Sequence, residues 1–212
     1  MKHKIDSEFI RKWSPCYDPL EHDESEYKSI VETTRSQLNA DRQISQELFV
    51  RMVRWKSARL LGRGHIEKVL STEGYGWYDG AIKRALCAKE DEKICCLIMK
   101  GKGIRTAVAS TILHFMYPDS FPIMDFRTVE VLLGLGCINS KSKEPENYPK
   151  FAAVLRSIAE KTHHSLRDVD RALFAYHKVC ISHSKPRHAF GGNCDCEGIS
   201  MEREIGARKH IG

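Results

Sequence analysis

Residues 91–131 have the sequence DEKICCLIMKGKGIRTAVASTILHFMYPDSFPIMDFRTVEV, and this stretch decides the fold. A helix is predicted up to Ile98 or Met99, and the short connection KGKG follows it at 100–103. A second helix is predicted over 104–117, where apolar residues recur at helical spacing, namely Ile104, Ala107, Val108, Ile112 and Phe115. The proline at 118 ends that helix. The sequence therefore predicts two helices joined by a tight glycine turn.

The chemistry of this turn suits binding of a phosphate group. Gly101 and Gly103 allow a sharp bend and leave no Cβ in the way of a ligand. The first amides of the second helix lack intrahelical partners and lie at the positive end of the helix dipole. The predicted backbone-phosphate contacts are Lys100, Gly101, Lys102, Gly103, Ile104, Arg105 and Thr106. The alternative is an ordinary helix–helix turn with a glycine cap.

The hairpin, the Ala/Ser-rich helix after it, the proline-containing loop and the segment Pro122-Ile123-Met124-Asp125 together resemble the helix-hairpin-helix/Gly-Pro-Asp superfamily. This superfamily includes endonuclease III, the adenine glycosylases and the alkyl-base glycosylases. It places an aspartate at the start of the helix that follows the hairpin, and here Asp125 follows Gly103 by 22 residues. The segments RWKS at 54–57 and RALFAYHK at 171–178 also resemble small members of the group.

The resemblance implies a catalytic role for Asp125. Cleavage of an N-glycosidic bond builds positive charge on the sugar, and a carboxylate directed at that sugar stabilises the charge or activates the attacking water. The position of Asp125 equally suits an N-cap for the helix FRTVEVLLG, and the two roles are compatible. Arg127, two residues further on, is expected to pair with a DNA phosphate or with Asp125 itself.

Two departures from the family pattern limit the chemistry. Lyase-type members carry a Schiff-base lysine two residues after the last hairpin glycine, where this chain has Arg105. A guanidinium does not lose its proton in a protein, so the resemblance implies base removal without strand cleavage. The cysteine spacing of the family's iron–sulfur loop is also missing, which argues against a [4Fe–4S] cluster, and no cofactor is expected. A zinc site is the alternative use of the pattern C-x2-H-x4-H-x5-C-x-C, formed by Cys180, His183, His188, Cys194 and Cys196.

Aromatic residues are the candidates for the base pocket, because a glycosylase must extrude its target base and stack it. The candidates are Trp55, Tyr75, Trp77 and Tyr78. Packing in the core is the alternative for each of them. His114 is predicted to be a core or boundary histidine without a catalytic role. Cys95 and Cys96 are likewise predicted to pack in the core.

The rest of the chain also has helical periodicity and no run of alternating strands. Helices are predicted over 24–40, 45–61, 78–88, 90–99, 126–134 and 149–162, with a last one over LRDVDRALFAYHKVC capped by Ser165. Residues 62–80 contain five glycines and are predicted to form loops around at most a short helix.

These elements predict an all-α fold, and the resemblance adds two helical lobes with a cleft between them. The hairpin-bearing lobe would comprise residues 45–140, and residues 1–44 and 141–182 would form the other. The hairpin and Asp125 should face the cleft. Residues 183–212 are polar and glycine-rich, and are expected to form a tail that is either mobile or held by something outside the helical core.

Composition indicates a globular protein, and its positive charge indicates either a polyanionic partner or a protein that is basic by chance. The chain has 212 residues, 42% of them hydrophobic and 29% charged, and a formal net charge of +6. It has neither a run of apolar residues that could span a membrane nor the apolar core of a secretory signal. We therefore expect a cytoplasmic protein, nucleoid-associated if bacterial, with its eight cysteines as thiols.

The functional hypothesis is a monomeric, monofunctional DNA glycosylase that acts on a damaged or mismatched base in double-stranded DNA. The alternative is a non-enzymatic helix-hairpin-helix module that binds the DNA backbone. A degenerate member of the group that no longer binds DNA is a third, weaker hypothesis.

Overall fold

The computed structural model describes residues 4–21, 24–57 and 65–181. Within these ranges the chain is helical and forms no β-strand, and a single bridge pairs Met99 with Ile104. The all-α prediction is confirmed. In the same ranges, no helix combines the length and the apolar character needed to cross a bilayer.

The described residues form the following helices, in chain order. They are α1 (Ser7–Trp13), α2 (Asp18–Glu21), α3 (Glu24–Ala40), α4 (Gln46–Lys56), α5 (His65–Thr72), α6 (Gly76–Cys87), α7 (Lys93–Leu97), α8 (Thr106–Met116), α9 (Phe126–Gly134), α10 (Tyr148–Thr162) and α11 (Leu166–Tyr176). Short 3₁₀ turns lie at Ser14–Cys16, Lys100–Lys102 and Pro145–Asn147, and α11 continues into a π-helical turn at His177–Ile181.

Local capping explains where several helices begin. The side chains of Asp6, Ser45, Asp125 and Ser165 each accept a hydrogen bond from an amide in the first turn of the following helix. This satisfies one of the amides that a helix start leaves without an intrahelical partner. The predicted limits of α3 and α9 and the Ser165 cap are confirmed.

Other predicted limits are corrected. The segment at 62–80 holds an eight-residue helix, α5, and the start of α6 at Gly76, so it is more helical than its glycines predict. Burial of Tyr78 and Ala81 in the core stabilises α6 against the low helix propensity of glycine. The helix predicted over 90–99 is shorter, because the chain turns before Lys93 and Met99 pairs with Ile104.

The two N-terminal helices α1 and α2 were not predicted from the sequence, and the segment that holds them lies against the C-terminal helix α11. Helix α1 packs against α11 and buries Ile10 and Trp13. The Trp13 ring meets Tyr176 of α11 edge-on, with ring centroids 5.2 Å apart. The start and the end of the described chain are thereby held in one packing unit.

Helix α8 is the centre of the core. All of its residues except Ala107 are buried, as expected for a helix enclosed by neighbours on all sides. It packs against α3, α4 and α7. The Ser110 hydroxyl oxygen accepts a hydrogen bond of 3.0 Å from the Met124 amide, which fixes the chain just before Asp125 against this helix.

His114 is fully buried on α8, as predicted for a core histidine. Its Nδ1 lies 2.8 Å from the Phe121 carbonyl oxygen and its Nε2 lies 2.9 Å from the Tyr27 hydroxyl. The neutral ring therefore donates from Nδ1 and accepts at Nε2. Burial lowers the pKa of His114 to about 4. The imidazole is thus a neutral connector between α3, α8 and the loop that leads to Asp125.

The two cysteines of α7 differ in their environment. Cys96 is partly buried and packs against the core, whereas Cys95 is exposed. The prediction that Cys95 packs in the core is wrong, because the five-residue helix turns Ile94 and Leu97 inward and leaves Cys95 on the outer face.

The buried side chains of the described residues form one connected hydrophobic core. Helix α3, which the predicted division assigns to the lobe of the chain ends, packs against α4 and α8. The two-lobe arrangement stays a prediction, and the tail at 183–212 lies outside the described residues.

Candidate functional site

The hairpin between α7 and α8 is a closed turn packed against α5. The Met99 amide donates to the Ile104 carbonyl at 3.0 Å, and the Ile104 amide donates back to the Met99 carbonyl at 3.1 Å. Gly103 has a φ of +86°, and a Cβ added there would lie 2.8 Å from Cγ1 of Ile66 on α5. Both the backbone conformation and the close approach to α5 therefore require glycine at 103. Gly101 has open space where its Cβ would be.

Two hairpin lysines are paired with carboxylates of the same chain. Lys102 forms an ion pair with Glu73, and Lys100 forms an exposed one with Glu144 at 2.9 Å. The Lys102 ammonium also lies 4.9 Å from the centre of the Trp77 ring. Each ammonium has three donors, so a phosphate could share these lysines with the carboxylates or displace the carboxylates.

The backbone at the start of α8 is arranged for an anion. Arg105 is the exposed N-cap residue, and the first intrahelical bond runs from the Val108 amide to the Arg105 carbonyl at 3.0 Å. The amides of Thr106 and Ala107 precede that bond. The side chains of Ile104 and Thr106 are buried, so these two predicted contacts can be made only by their backbone.

Asp125 is the N-cap of α9 and is held from two sides. Its Oδ1 accepts a hydrogen bond of 2.9 Å from the Arg127 amide, and its Oδ2 accepts one of 2.7 Å from Lys56 Nζ at the end of α4. The Arg127 guanidinium lies 3.7 Å from Oδ1, which is one of the two roles predicted for that residue. Only 12% of the Asp125 side chain is exposed, so the carboxylate is recessed but reaches the surface.

The electrostatic surroundings keep Asp125 ionised. Burial alone raises the pKa of its carboxyl group, because a desolvated charge is unfavourable. The positive charge and hydrogen bond of Lys56, together with the amide and charge of Arg127, outweigh burial and leave the pKa below its ordinary value. The group is therefore an anion at neutral pH.

A second charged cluster lies on α11, beside this pair. Arg167 is buried and binds Asp170 at 3.1 Å and Glu24 of α3 at 3.2 Å. Burial raises the pKa of Asp170 in spite of that ion pair, and the charges of Lys56 and Asp125 also act on it. The ends of α3, α4, α9 and α11 therefore meet around Lys56 and Asp125.

Two connections link Asp125 to the hairpin. Ser110, which binds the Met124 amide, is one helical turn from the start of α8, so the backbone of Asp125 lies within about 17 Å of that helix start. The loop between α9 and α10 provides the other connection. Its Lys143 lies 5.7 Å from the Phe126 ring, and its Glu144 binds Lys100.

The four aromatic candidates do not form one pocket. Tyr78 is fully buried and stacks on Phe49 with ring centroids 4.6 Å apart, and its hydroxyl donates to the Lys102 carbonyl at 2.8 Å. Tyr75 also contacts Phe49, and its hydroxyl donates to the Ile44 carbonyl at 2.7 Å. These two tyrosines therefore pack against the core, which was the alternative to a role in the base pocket. Tyr78 also holds the hairpin through its hydrogen bond to the Lys102 carbonyl.

The two tryptophans lie at different places. Trp77 is 55% exposed beside the hairpin. Trp55 is next to Lys56 and packs edge-on against Phe115, with ring centroids 5.1 Å apart. Its buried Nε1 has no hydrogen-bond partner among the described residues. Trp55 is thus the predicted pocket residue that the fold brings to the Asp125 site.

Metal ligands can be judged only for part of the predicted set. Among the residues that the structure describes, no three His, Cys, Asp or Glu side chains are grouped to hold a metal ion. Cys180 is partly buried, and burial raises the pKa of its thiol to about 11. The other predicted zinc ligands, His183, His188, Cys194 and Cys196, lie outside the described residues, so zinc stays a hypothesis.

Sequence reasoning missed Lys56, Arg167, Asp170 and Phe126 as members of the site. Lys56 stands in the RWKS segment that carries part of the resemblance, which was the available signal. Its partner is 69 residues away, and no local periodicity encodes such a pairing. The i,i+3 spacing of Arg167 and Asp170 predicts an ion pair on a helix but not its burial.

Comparison with protein-family models, with curated proteins and with solved structures finds no match to this chain. The resemblance to the helix-hairpin-helix/Gly-Pro-Asp group therefore depends on the motif and stays a prediction.

Proposed function

We propose that this protein is a monofunctional DNA glycosylase that hydrolyses the N-glycosidic bond of a damaged or mismatched base, with Asp125 as the catalytic carboxylate. The observation that carries the proposal is the state of Asp125. It is recessed, ionised and within reach of the surface, and the loop beside it contacts a hairpin that carries two ion-paired lysines.

The expected reaction is a hydrolysis. The bond between C1′ of the deoxyribose and the base nitrogen breaks, and the base leaves with the bonding electrons. The oxygen of a water molecule bonds to C1′, and the proton that it loses ends on the departing base. The anionic Asp125 stabilises the positive sugar or accepts the proton of the water.

Lys56 and Arg127 serve this carboxylate as positioning residues. Lys56 donates to Oδ2, and the Arg127 amide donates to Oδ1, so both oxygens have a fixed direction. Lys56 in turn comes from a helix end that packs beside the Arg167–Asp170 pair. Such a fixed arrangement reduces the reorganisation that the transition state requires.

The hairpin would fix the register of the enzyme on the duplex without selecting a sequence. The amides of Thr106 and Ala107 and the ammonium groups of Lys100 and Lys102 are the groups expected at the phosphates. Because Arg105 occupies the position of the lyase lysine, the product is expected to be an intact strand with an abasic site.

A second candidate function is favoured by one observation. Asp125 already caps α9 and neutralises Lys56, and these structural roles are sufficient to explain a buried carboxylate. In that case the chain is a non-enzymatic module that binds the DNA backbone.

The experiment is a base-release assay with Asp125→Asn. Duplexes that carry uracil, an alkylated purine, oxidised guanine or a mismatch are incubated with the protein, and abasic sites are detected by alkali cleavage. Asparagine can still cap α9 but has no charge, so we expect a loss of about 100-fold or more in the rate of base release. Asp91→Asn, at an exposed turn, is the matched control and should keep full activity.

Three outcomes would contradict the proposal. Salt-dependent binding without base release from any duplex identifies the binding module. Absence of both binding and release identifies a member that has lost DNA binding. Strand breaks before alkali treatment would contradict the monofunctional reaction and implicate Lys56, the amine in contact with Asp125.

A further inference from the structure

The first residue of α9 is an exposed aromatic. Phe126 follows Asp125 directly and is 41% exposed, and within the described ranges only Trp77 is another large hydrophobic side chain with comparable exposure. Burial of such a ring contributes to stability or to binding, and this ring is largely outside the core. Because the ring lies beside the proposed catalytic carboxylate, we ask which group could cover it.

The Phe126 ring is held in place by its neighbours. The Arg127 guanidinium lies 4.4 Å from the ring centre and the Lys143 ammonium lies 5.7 Å from it. His177 meets the ring edge-on, with centroids 5.7 Å apart, and its Nε2 is hydrogen-bonded to Glu130 at 2.6 Å. The ring is therefore presented at the surface with two cations beside it and an imidazole at its edge.

Proteins commonly bind a nucleic-acid strand with an exposed aromatic ring that has cations beside it. Bases stack on the aromatic face, and the cations pair with phosphates on either side. The loop that supplies Lys143 also supplies Glu144, the partner of hairpin Lys100. Phe126, which is adjacent to Asp125, is thus linked through this loop to the hairpin, the other place where the proposed function expects DNA.

Asp125 is the N-cap and has an extended backbone, whereas Phe126 is the first helical residue, and the two side chains face different environments. The carboxylate of Asp125 is recessed, whereas the Phe126 ring stands at the surface. A nucleotide extruded toward Asp125 would leave a gap in the duplex next to this ring.

We propose that Phe126 stacks on the nucleobase that flanks the extruded nucleotide, and that Lys143 moves from the ring to the adjacent phosphate. This inference rests on the proposed function, because it takes Asp125 as the group that receives the sugar. It makes Phe126 a positioning residue and not a catalytic one.

The test is a double-mutant cycle that removes the Phe126 ring, the flanking base, or both. One labelled duplex carries a tetrahydrofuran abasic-site analogue, and two others carry a second analogue at the 5′ or the 3′ neighbour, which removes the flanking base. Binding of the protein, Phe126→Ala and Phe126→Trp is measured by fluorescence anisotropy. Trp77→Ala, the other exposed aromatic, is the matched control.

If Phe126 stacks on the flanking base, Phe126→Ala weakens binding to the single-analogue duplex by about 10-fold. The same substitution changes binding little when the flanking base on the correct side is missing, because the contact is already lost. Phe126→Trp keeps both the affinity and the dependence on the flanking base. Trp77→Ala affects all three duplexes equally.

Equal losses on all three duplexes, or the same flanking-base dependence in Trp77→Ala, would overturn the inference. So would loss of self-association in Phe126→Ala without any such dependence, which would assign the ring to a protein contact. The base-release assay separates this inference from the proposed function. Release without flanking-base dependence overturns the stacking role alone, and dependence without release overturns the glycosylase alone.

Discussion

The charge of Asp125 depends on Lys56. Burial opposes the ionised carboxylate, and the ammonium at 2.7 Å reverses that effect. Because the pKa of Asp125 is lowered on folding, its ionisation contributes stability above the ordinary carboxyl range, and this contribution is lost as the pH falls through the folded-state pKa. The pair therefore contributes to the folding of the site, and in the proposed function it also keeps the catalytic carboxylate charged.

Replacement of Lys56 by methionine should raise the pKa of Asp125. The substitution removes the ammonium and its hydrogen bond but keeps an unbranched chain, so burial, already the largest single influence on the pKa, is opposed only by the amide and charge of Arg127. We expect the carboxyl ¹³C resonance of Asp125 to titrate at higher pH, and the acid limb of base release to shift in the same direction.

Lys83→Met is the control for that experiment, since Lys83 forms an i,i+4 ion pair with Asp79 on α6. It should leave the titration of Asp125 unchanged. An Asp125 resonance with the same midpoint in the Lys56 variant would show that the ammonium does not govern the carboxylate.

The sequence was sufficient to single out Asp125 as an N-cap and as a candidate site residue. Its position after a proline-containing loop and before an apolar helix is a local pattern. Lys56, the partner of Asp125, could not be predicted in this way. A contact across the fold is decided by how α4 and α9 pack, and an isolated lysine at a helix end carries no sign of that packing.

At the scale of elements, the hairpin depends both on its local glycine sequence and on its tertiary contact with α5. The glycines predict a turn, and the turn forms where they predict it. Only the structure distinguishes the two glycines, because the close approach of α5 to Gly103 depends on a helix within a segment predicted to be mostly loop. Gly101 faces open space instead.

Alanine should destabilise the fold at position 103 but have little effect on stability at position 101. Gly103→Ala places a Cβ against Ile66 at a positive φ, and we expect it to lower the free energy of unfolding by about 2 kcal/mol or more. Gly101→Ala should change it by less than about 0.5 kcal/mol. Urea unfolding of both variants measures the difference.

The same two alanine variants also test whether DNA contacts the hairpin backbone. If the backbone near Gly101 contacts a phosphate, Gly101→Ala weakens duplex binding while its stability is unchanged. Equal stability of the two variants would mean that α5 does not pack against the turn as described.

For the whole molecule, His114 joins parts that are far apart in sequence. Tyr27 of α3 and the Phe121 carbonyl both bind its neutral ring inside the core. The sequence predicted a core histidine from its apolar helix, but not these two partners, which come from separate segments.

This buried imidazole predicts a pH dependence of global stability. The pKa of His114 is about 4 in the folded protein, below its ordinary value of 6.5, so the unfolded state binds the proton first. The free energy of unfolding should therefore fall as the pH is lowered from about 6.5 to 4, by at most about 3 kcal/mol from this group. Denaturant titrations across this range measure the slope.

His114→Gln is the matched variant, because glutamine has a donor and an acceptor but does not titrate. It should be less stable at neutral pH and have a flatter profile between pH 6.5 and 4. An equal slope in both proteins would assign the pH dependence to other groups.

The ion pairs of Lys100 and Lys102 have a consequence for how the hairpin selects its partners. Each ammonium group already has a carboxylate of its own chain, so any visiting anion competes with an intramolecular rival. A lone phosphate or a short acidic peptide competes poorly, whereas a duplex brings closely spaced charges to both lysines at once. In the proposed function, the internal acids therefore favour a partner of high charge density over the small anions of a cell.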